Sequence, residues 1–213
     1  MESDRHAIKH HRLILRTARS ISELFRPVYF PVVGVALVFQ FTVLSLFPLW
    51  MQLMVLTLVA MGTLVLPRLT IRIWRSINGW ELHTLRLRQR RFFPYVVHIV
   101  FYALTLYYIE RMHLPSYVSG IIVGAMLIQM SCTLINLFWK VSSHCAGAGG
   151  VTGALIAYSL VFYFDAIWWL CLSFILQGMV GSSRMLLRQH TLAQVVWGTI
   201  IGIICGFMGI IIA

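Results

Sequence analysis

The stretch that decides the architecture is VTGALIAYSLVFYFDAIWWLCLSFILQGMVG, residues 151–181, in which Asp165 is the only charged residue. A transmembrane helix needs about 20 predominantly apolar residues, so this run is ambiguous. It forms either one tilted helix or two short helices that meet near Tyr163, Phe164 and Asp165. The choice decides on which side of a membrane the following polar segment lies.

Long apolar runs also cover residues 28–66, 95–139 and 191–213. The first two are each long enough for a pair of crossings, with turns at Pro48 and within residues 110–116, ERMHLPS. The chain of 213 residues is 60% hydrophobic and only 11% charged, against about 25% charged residues in a typical soluble domain. We therefore predict an all-α fold, a polytopic membrane helical bundle with six or seven transmembrane helices.

The basic residues are concentrated in two segments. Six of the seventeen Lys and Arg residues precede residue 28, and seven lie in residues 67–94. This pattern predicts a basic amphipathic N-terminal tail (1–27), a first transmembrane hairpin (28–66), a basic interfacial loop (67–94) and a transmembrane core (95–213). The tail is either an amphipathic helix on anionic headgroups or a disordered basic segment that sets topology. It is polar, so we expect no cleavable signal peptide.

The distribution of charge also predicts sidedness. If residues 151–181 form a hairpin, sixteen of the seventeen Lys and Arg residues share one side and only Arg111 lies opposite. A single span would move Arg184 and Arg188 across, so the asymmetry favours the hairpin. Because basic loops are retained in the cytoplasm, the basic side is expected to be cytoplasmic. Charge placed in this way points to the lipid bilayer as partner, with no role for nucleic acid.

Three polar segments then meet at the basic face: LRQRRFFP (87–94), WKVSSHCAGAGG (139–150) and GSSRMLLRQHTLAQVVWG (181–198). Together they supply guanidinium and ammonium groups, hydroxyls and two histidines, but no clustered carboxylates. Such a set suits an anion, and the planar guanidinium matches phosphate oxygens. A histidine pair can act as nucleophile and proton donor in phosphate ester cleavage. Without aspartates to hold magnesium, we predict no metal ion and no other cofactor.

Simpler explanations account for several of these residues. Arginines at span ends are often topology signals whose side chains reach toward the headgroups, and we prefer that interpretation for Arg86, Arg90 and Arg188. His98 and His113 are interpreted as solvated or capping residues. The four cysteines have no CxxC spacing and are interpreted as reduced, packed side chains.

The motifs resemble those of the PAP2 (type 2 phosphatidic acid phosphatase) superfamily. SRMLLRQH (183–190), with Gln194 four residues further on, is similar to the third motif, SRxxxxxHxxxD, and VSSH (141–144) to the second, PSGH. Residues 88–94, RxxRxxP, look like a variant of the first motif, KxxxxxxRP, whose lysine would fall at Thr84. The resemblance covers roughly residues 85–205. Val141, Ser143 and Gln194 replace the proline, glycine and aspartate of the second and third motifs.

The resemblance implies roles for individual residues in a PAP2-like core. His190 would attack phosphorus to form a phosphohistidine, and His144 would protonate the departing alcohol and later activate water. Gln194 would accept the proton on the far imidazole nitrogen of His190 without contributing negative charge. The residues expected to bind the phosphoryl group are Arg184, Arg91, Arg88, Lys140, Ser142 and Ser143.

The expected function is hydrolysis of a membrane lipid phosphomonoester such as phosphatidylglycerophosphate or phosphatidate. We expect the N-terminus and active site on the cytoplasmic face of a bacterial cytoplasmic membrane, with no obligate protein partner. An outward-facing site would instead suit undecaprenyl diphosphate or lipid A. Two alternatives share the same anion site: a noncatalytic lipid-phosphate binding or transport protein, and a phosphotransferase that passes the phosphoryl group to an alcohol.

Overall fold

Helices dominate the computed structural model, which describes residues 2–79 and 92–213. No strand occurs in these two ranges. The elements are α1 (Glu2–Leu24), α2 (Phe30–Phe41), α3 (Leu49–Ala60), α4 (Leu66–Ile77), α5 (Phe92–Arg111), α6 (Ser116–Ile135), α7 (Ser143–Phe162), α8 (Ile167–Leu186) and α9 (Leu192–Ile212). The prediction of an all-α helical bundle is confirmed.

Six stretches are long and apolar enough to cross a membrane: Arg12–Phe41, Leu49–Ile77, Phe93–Arg111, Ser116–Ile135, Ser143–Phe162 and Leu192–Ile212. Helix α8 is not among them, although at 20 residues it is as long as α7. Its polar residues, including Gln177 and Arg184, lower its hydropathy. The six stretches indicate an integral membrane protein. Helix α8 packs beside α7.

The ambiguous run forms a hairpin of two helices. Helix α7 ends at Phe162, Tyr163 adopts a left-handed conformation with φ of 52°, and α8 begins at Ile167. The Asp165 carboxylate accepts a hydrogen bond of 2.9 Å from the Ile167 amide. The alternative of a single tilted helix is therefore wrong, and the charge asymmetry favoured the correct fold.

Two segments differ in detail from the sequence-based division. Residues 61–65 form a π-helical turn that joins α3 to α4, so one helical stretch runs from Leu49 to Ile77. The first part of the predicted interfacial loop, 67–94, is thus helical; residues 80–91 lie outside the described residues. The tail is also helical as α1, and its C-terminal part packs against α8.

Glycines hold α7 and α9 unusually close. A Cβ atom on Gly198 would lie 2.6 Å from the carbonyl oxygen of Ser142, and Gly202 and Gly206 contact the α7 backbone in the same manner. These three residues repeat every fourth position of α9 and thus share one face. Small residues at this spacing let membrane helices approach backbone to backbone. The starts of α7 and α9 are fixed against each other as a result.

The connections that carry the polar segments gather at one end of the bundle. Tyr29, before α2, accepts a hydrogen bond of 3.1 Å from Arg68 of α4. At the same end, the Asn136 side chain after α6 bonds to Tyr95 of α5 at 3.1 Å. We call this the basic end. The opposite end, where Phe41 contacts Trp169 with ring centroids 5.3 Å apart, is called the far end.

Candidate functional site

The first part of the candidate site is the start of α7. Ser142 is the N-cap: its hydroxyl accepts a hydrogen bond of 3.4 Å from the Cys145 amide and donates to the Cys145 sulfur at 3.2 Å. The Ser142 side chain is fully buried. This hydroxyl therefore caps the start of α7, and its proposed contact with a phosphoryl oxygen stays a prediction. Ser143 and His144 follow in the first turn and are half-buried.

His144 lies among groups from three other parts of the chain. Arg184 and His190 are both close enough to interact with it electrostatically, and its ring forms a hydrogen bond with the backbone of Ser22. Two of these neighbours, Arg184 and His190, were predicted from sequence to share a site with His144. The structure brings all three to the basic end.

Arg184 comes from the last turn of α8. Its Nη1 donates a hydrogen bond of 2.6 Å to the hydroxyl of Ser22, a buried residue of α1. Its Nε is buried and has no hydrogen-bond acceptor among the described residues. A buried guanidinium N–H without an acceptor is costly, so this atom is suited to receive an oxygen from an anionic ligand.

A tight turn after α8 positions His190. The Arg188 amide donates to the Met185 carbonyl at 2.8 Å and the Gln189 amide to the Arg184 carbonyl at 3.1 Å. Together with the left-handed Arg188, φ 51°, these bonds form a Schellman motif. The Lys140 ammonium donates to the Gln189 carbonyl and so ties the segment before α7 to this turn. Lys140 is thus a bridge at the exposed rim of the site.

His190 and Gln194 are in contact as the four-residue spacing predicts. The His190 Nδ1 lies 3.2 Å from the Gln194 side-chain oxygen. The same oxygen accepts a hydrogen bond of 3.3 Å from the backbone N–H of Thr191. The backbone N–H of Gln194 in turn donates to the Thr191 hydroxyl at 3.4 Å. This capping box requires the oxygen, and not the nitrogen, to face the turn. Nδ1 must therefore be the donor, which places the ring lone pair of neutral His190 on Nε2.

A backbone contact completes the arrangement. The Ser142 amide donates a hydrogen bond of 3.2 Å to the Gln194 carbonyl. This bond and the close packing of Gly198 on Ser142 join the two histidine-bearing segments directly. The motif spacing alone could not have shown this contact, because it depends on how α7 and α9 cross.

Helix α1 contributes a cover that sequence reasoning missed. Ser22 lies in α1, and Phe25, directly after this helix, packs against a buried cluster of Cys145, Val180 and Val195. Arg26 follows and lies within electrostatic range of His144. The available signal was the apolar stripe of the tail, which was interpreted as facing headgroups; its inner face instead packs on α8.

The remaining predicted residues lie elsewhere. Arg88 and Arg91, the variant first motif, lie outside the described residues. His98 is a residue of α5, where its Nδ1 lies 2.7 Å from the Pro94 carbonyl. His113 follows α5 at the far end with a left-handed φ of 49°. In the part of the chain that the structure describes, no three His, Cys, Asp or Glu side chains cluster as a metal site would require.

Comparison with models of known protein families, with curated proteins and with solved structures finds no match of any kind. The resemblance to lipid phosphatases therefore depends on the motif residues alone. The residue roles and the mechanism that it implies stay predictions.

Proposed function

We propose that the protein is a membrane lipid phosphatase that hydrolyses a lipid phosphomonoester through a phosphohistidine. The observation that carries this proposal is the contact of His190 Nδ1 with the Gln194 oxygen at 3.2 Å. It orients the imidazole as a nucleophile, in the same small region as a second histidine, His144, and the Arg184 guanidinium.

In the first step, Nε2 of His190 attacks phosphorus, a nitrogen–phosphorus bond forms, and the bond from phosphorus to the lipid oxygen breaks. His144, whose protonated form the bound phosphate stabilises against the opposing charge of Arg184, gives its proton to the departing lipid alkoxide. Arg184 neutralises charge on the phosphoryl oxygens through its Nε. In the second step, His144 removes a proton from water, which attacks phosphorus and releases inorganic phosphate from His190.

Gln194 sets a limit on this chemistry. Its oxygen holds the tautomer of His190 but brings no negative charge to stabilise the imidazolium that phosphoryl transfer creates. Replacing the carboxylate partner of a catalytic histidine by an amide costs about 10⁴ in rate in a serine protease, where the wrong tautomer adds to the loss. Here the capping box fixes the correct tautomer, so we expect a smaller deficit.

The substrate class follows from the position of the site. A phosphate carried on a lipid reaches the basic end by lateral diffusion while its chains stay in hydrocarbon. The excess of Lys and Arg at this end supports a site on the cytoplasmic face of a bacterial cytoplasmic membrane. Phosphatidylglycerophosphate and phosphatidate are the candidate substrates there. A site on the outer face would favour undecaprenyl diphosphate or lipid A.

Orientation is tested by cysteine labelling in intact cells, in a background with the native cysteines replaced. One probe site is Ser116, at the start of α6 at the far end, and the other lies in the N-terminal tail. The proposal expects a membrane-impermeant reagent to label Ser116→Cys alone. Labelling of the tail from outside would contradict the cytoplasmic assignment.

One contact favours a noncatalytic lipid-phosphate binding protein as a second candidate. Ser22 of α1 already occupies Nη1 of Arg184, and His144 bonds to the backbone of the same residue. A site covered in this way would retain an anionic headgroup without admitting the water that completes hydrolysis. Both candidates require Arg184, so its loss does not distinguish them.

The deciding experiment is phosphate release by detergent-purified protein from a panel of phosphorylated lipids. His190→Ala should abolish release, and His113→Asn, at the far end, should leave it unchanged because asparagine tolerates a left-handed backbone. Brief incubation with radiolabelled substrate should trap an acid-labile phosphoprotein in the wild type and not in His190→Ala. Folded wild-type protein that binds the lipids but releases no phosphate would favour the binding protein.

A further inference from the structure

A large apolar cleft lies between helices of the bundle, next to the candidate site. It has a volume of about 370 Å³ and is bordered by α2, α6, α7 and α9, with the start of α8 at its far end. Glycines form much of its wall, including Gly34, Gly124 and Gly150. At these positions the backbone of one helix lies against its neighbours: a Cβ on Gly34 would meet Ile121, and one on Gly150 would meet Ile128. Part of its wall, including Leu37 and Trp169, is exposed on the surface of the bundle, so the cleft is open to a ligand from the bilayer.

The chemistry of the wall disfavours water as the occupant. The lining is predominantly aliphatic and aromatic. The Thr42 hydroxyl donates to the Val38 carbonyl at 2.7 Å, and the Tyr158 hydroxyl to the Tyr117 carbonyl at 2.6 Å. A water molecule needs two to four polar partners to be stable in a cavity, and apolar cavities stay dry and take up apolar ligands. The cleft is therefore suited to a hydrocarbon.

The cleft begins one helical turn from His144. Its wall at the basic end includes Pro27 and Gly147, and Gly147 lies three residues after His144 on α7. From Gly147 to Tyr158, which also borders the cleft, α7 rises about 17 Å at 1.5 Å per residue. An elongated space of this kind has the shape of a single alkyl chain.

Polarity changes along the cleft in the direction that a lipid would require. Gln129 borders it in the half of α6 that approaches the basic end, whereas Phe41, Phe164 and Trp169 border the far end. Beyond the basic end lie Arg26 and Arg184, which attract a phosphate. This order matches the parts of a phosphorylated lipid: the cations lie where the headgroup would be, the polar amide near the ester linkage, and the aromatic wall near the chain end.

We propose that this cleft binds one hydrocarbon chain of the phosphorylated lipid, within the protein and out of the surrounding bilayer. The identity of the headgroup rests on the proposed function, but chain binding does not require turnover. Helix α2 forms one wall, and it lies outside residues 85–205, which carry the motif resemblance. The chain site is thus a feature of the whole fold of this protein, including its first hairpin.

The test uses phosphatidic acid with a diazirine near the end of one acyl chain, bound to full-length His190→Ala in detergent so that no turnover occurs. After illumination, the label should map to α2 and α7 residues that line the cleft. Ala154→Leu and Ala125→Leu, on different walls, should each reduce this labelling about tenfold, the effect of excluding two methylenes. Ala103→Leu, at an exposed position of α5, should not.

Each outcome decides one question. Label confined to outward-facing residues such as Val100 and Phe174, or undiminished cleft labelling in both folded leucine variants, would overturn the chain site. If one leucine variant fails to fold, the other decides. Cleft labelling without phosphate release by the wild type would leave the chain site standing and remove the phosphatase. Phosphate release without cleft labelling would support the phosphatase and overturn the chain site.

Discussion

Gly198→Ala is the most direct test of how the fold assembles the site. A Cβ at this position would lie 2.6 Å from the Ser142 carbonyl oxygen, and ordinary contact begins at 3.4 Å, so α9 and the start of α7 must separate by about 0.8 Å. Ser142 precedes His144 by two residues, and Gly198 follows His190 by two turns of helix. The displacement therefore moves the two histidines relative to each other.

The expected magnitudes follow from this distance. Misplacement of a reacting group by about 1 Å can cost about 10² in rate, so phosphate release should fall by up to that factor. The overpacked interface should lose about 1–3 kcal/mol of unfolding free energy. Gly178→Ala on α8 is the matched control, since nothing lies within 4 Å of its added Cβ. Both variants gain about 1 kcal/mol of helix propensity, so their difference isolates the clash.

The assay is unfolding in mixed detergent micelles, followed by phosphate release from the same preparations. Gly178→Ala should be as stable as the wild type or more so, and fully active. If Gly198→Ala matches Gly178→Ala in both measurements, close approach of α7 and α9 does not position the site. A loss of activity with unchanged stability would mean that the helices shift without strain.

Three further changes test individual contacts. Gln194→Glu keeps the oxygen that His190 contacts and adds a negative charge, so kcat should rise, within a bound of about 10⁴; an unchanged kcat would show that charge on this partner is not limiting. Ser22→Ala removes a hydrogen bond from a charged group, Arg184, so trypsin should cleave α1 about tenfold faster, and an unchanged cleavage rate would mean that this bond does not hold the helix. Arg188→Gly removes left-handed strain and should stabilise the protein by about 1 kcal/mol in the detergent unfolding assay; an equal gain from Arg188→Ala would contradict that cause.

Patterns local in the chain predicted most of the fold. Hydropathy located the apolar helices, and the charge asymmetry selected two helices over one for residues 151–181. The four-residue spacing of His190 and Gln194 predicted their contact, which forms where the turn just before the N-cap Thr191 meets the first turn of α9. In each case the deciding interactions join neighbours in sequence or reflect the partition of charge between membrane and water.

The features that sequence did not predict depend on packing between distant segments. Nothing in the sequence around Ser22 distinguishes it from any other serine in a basic tail. Its contact with Arg184 depends on the packing of α1 against α8. Ser142 matches a motif serine, and its role as the N-cap of α7 is one that the motif does not show. The apolar cleft is bordered by α2, α6, α7 and α9, which come from distant parts of the chain. Arg88 and Arg91 remain sequence predictions, since they lie outside the described residues.

The Gln194 contacts explain how an amide can occupy a position where the resembled motif has aspartate. One oxygen accepts both the Thr191 amide and His190 Nδ1, which requires a side chain long enough to fold back over the first turn of α9. Aspartate is one methylene shorter and is not the usual capping-box partner. Glutamine therefore satisfies the helix start and the histidine together, at the cost of the negative charge. On this basis Gln194→Asp should weaken the start of α9 even as it restores the motif, whereas Gln194→Glu should preserve both contacts.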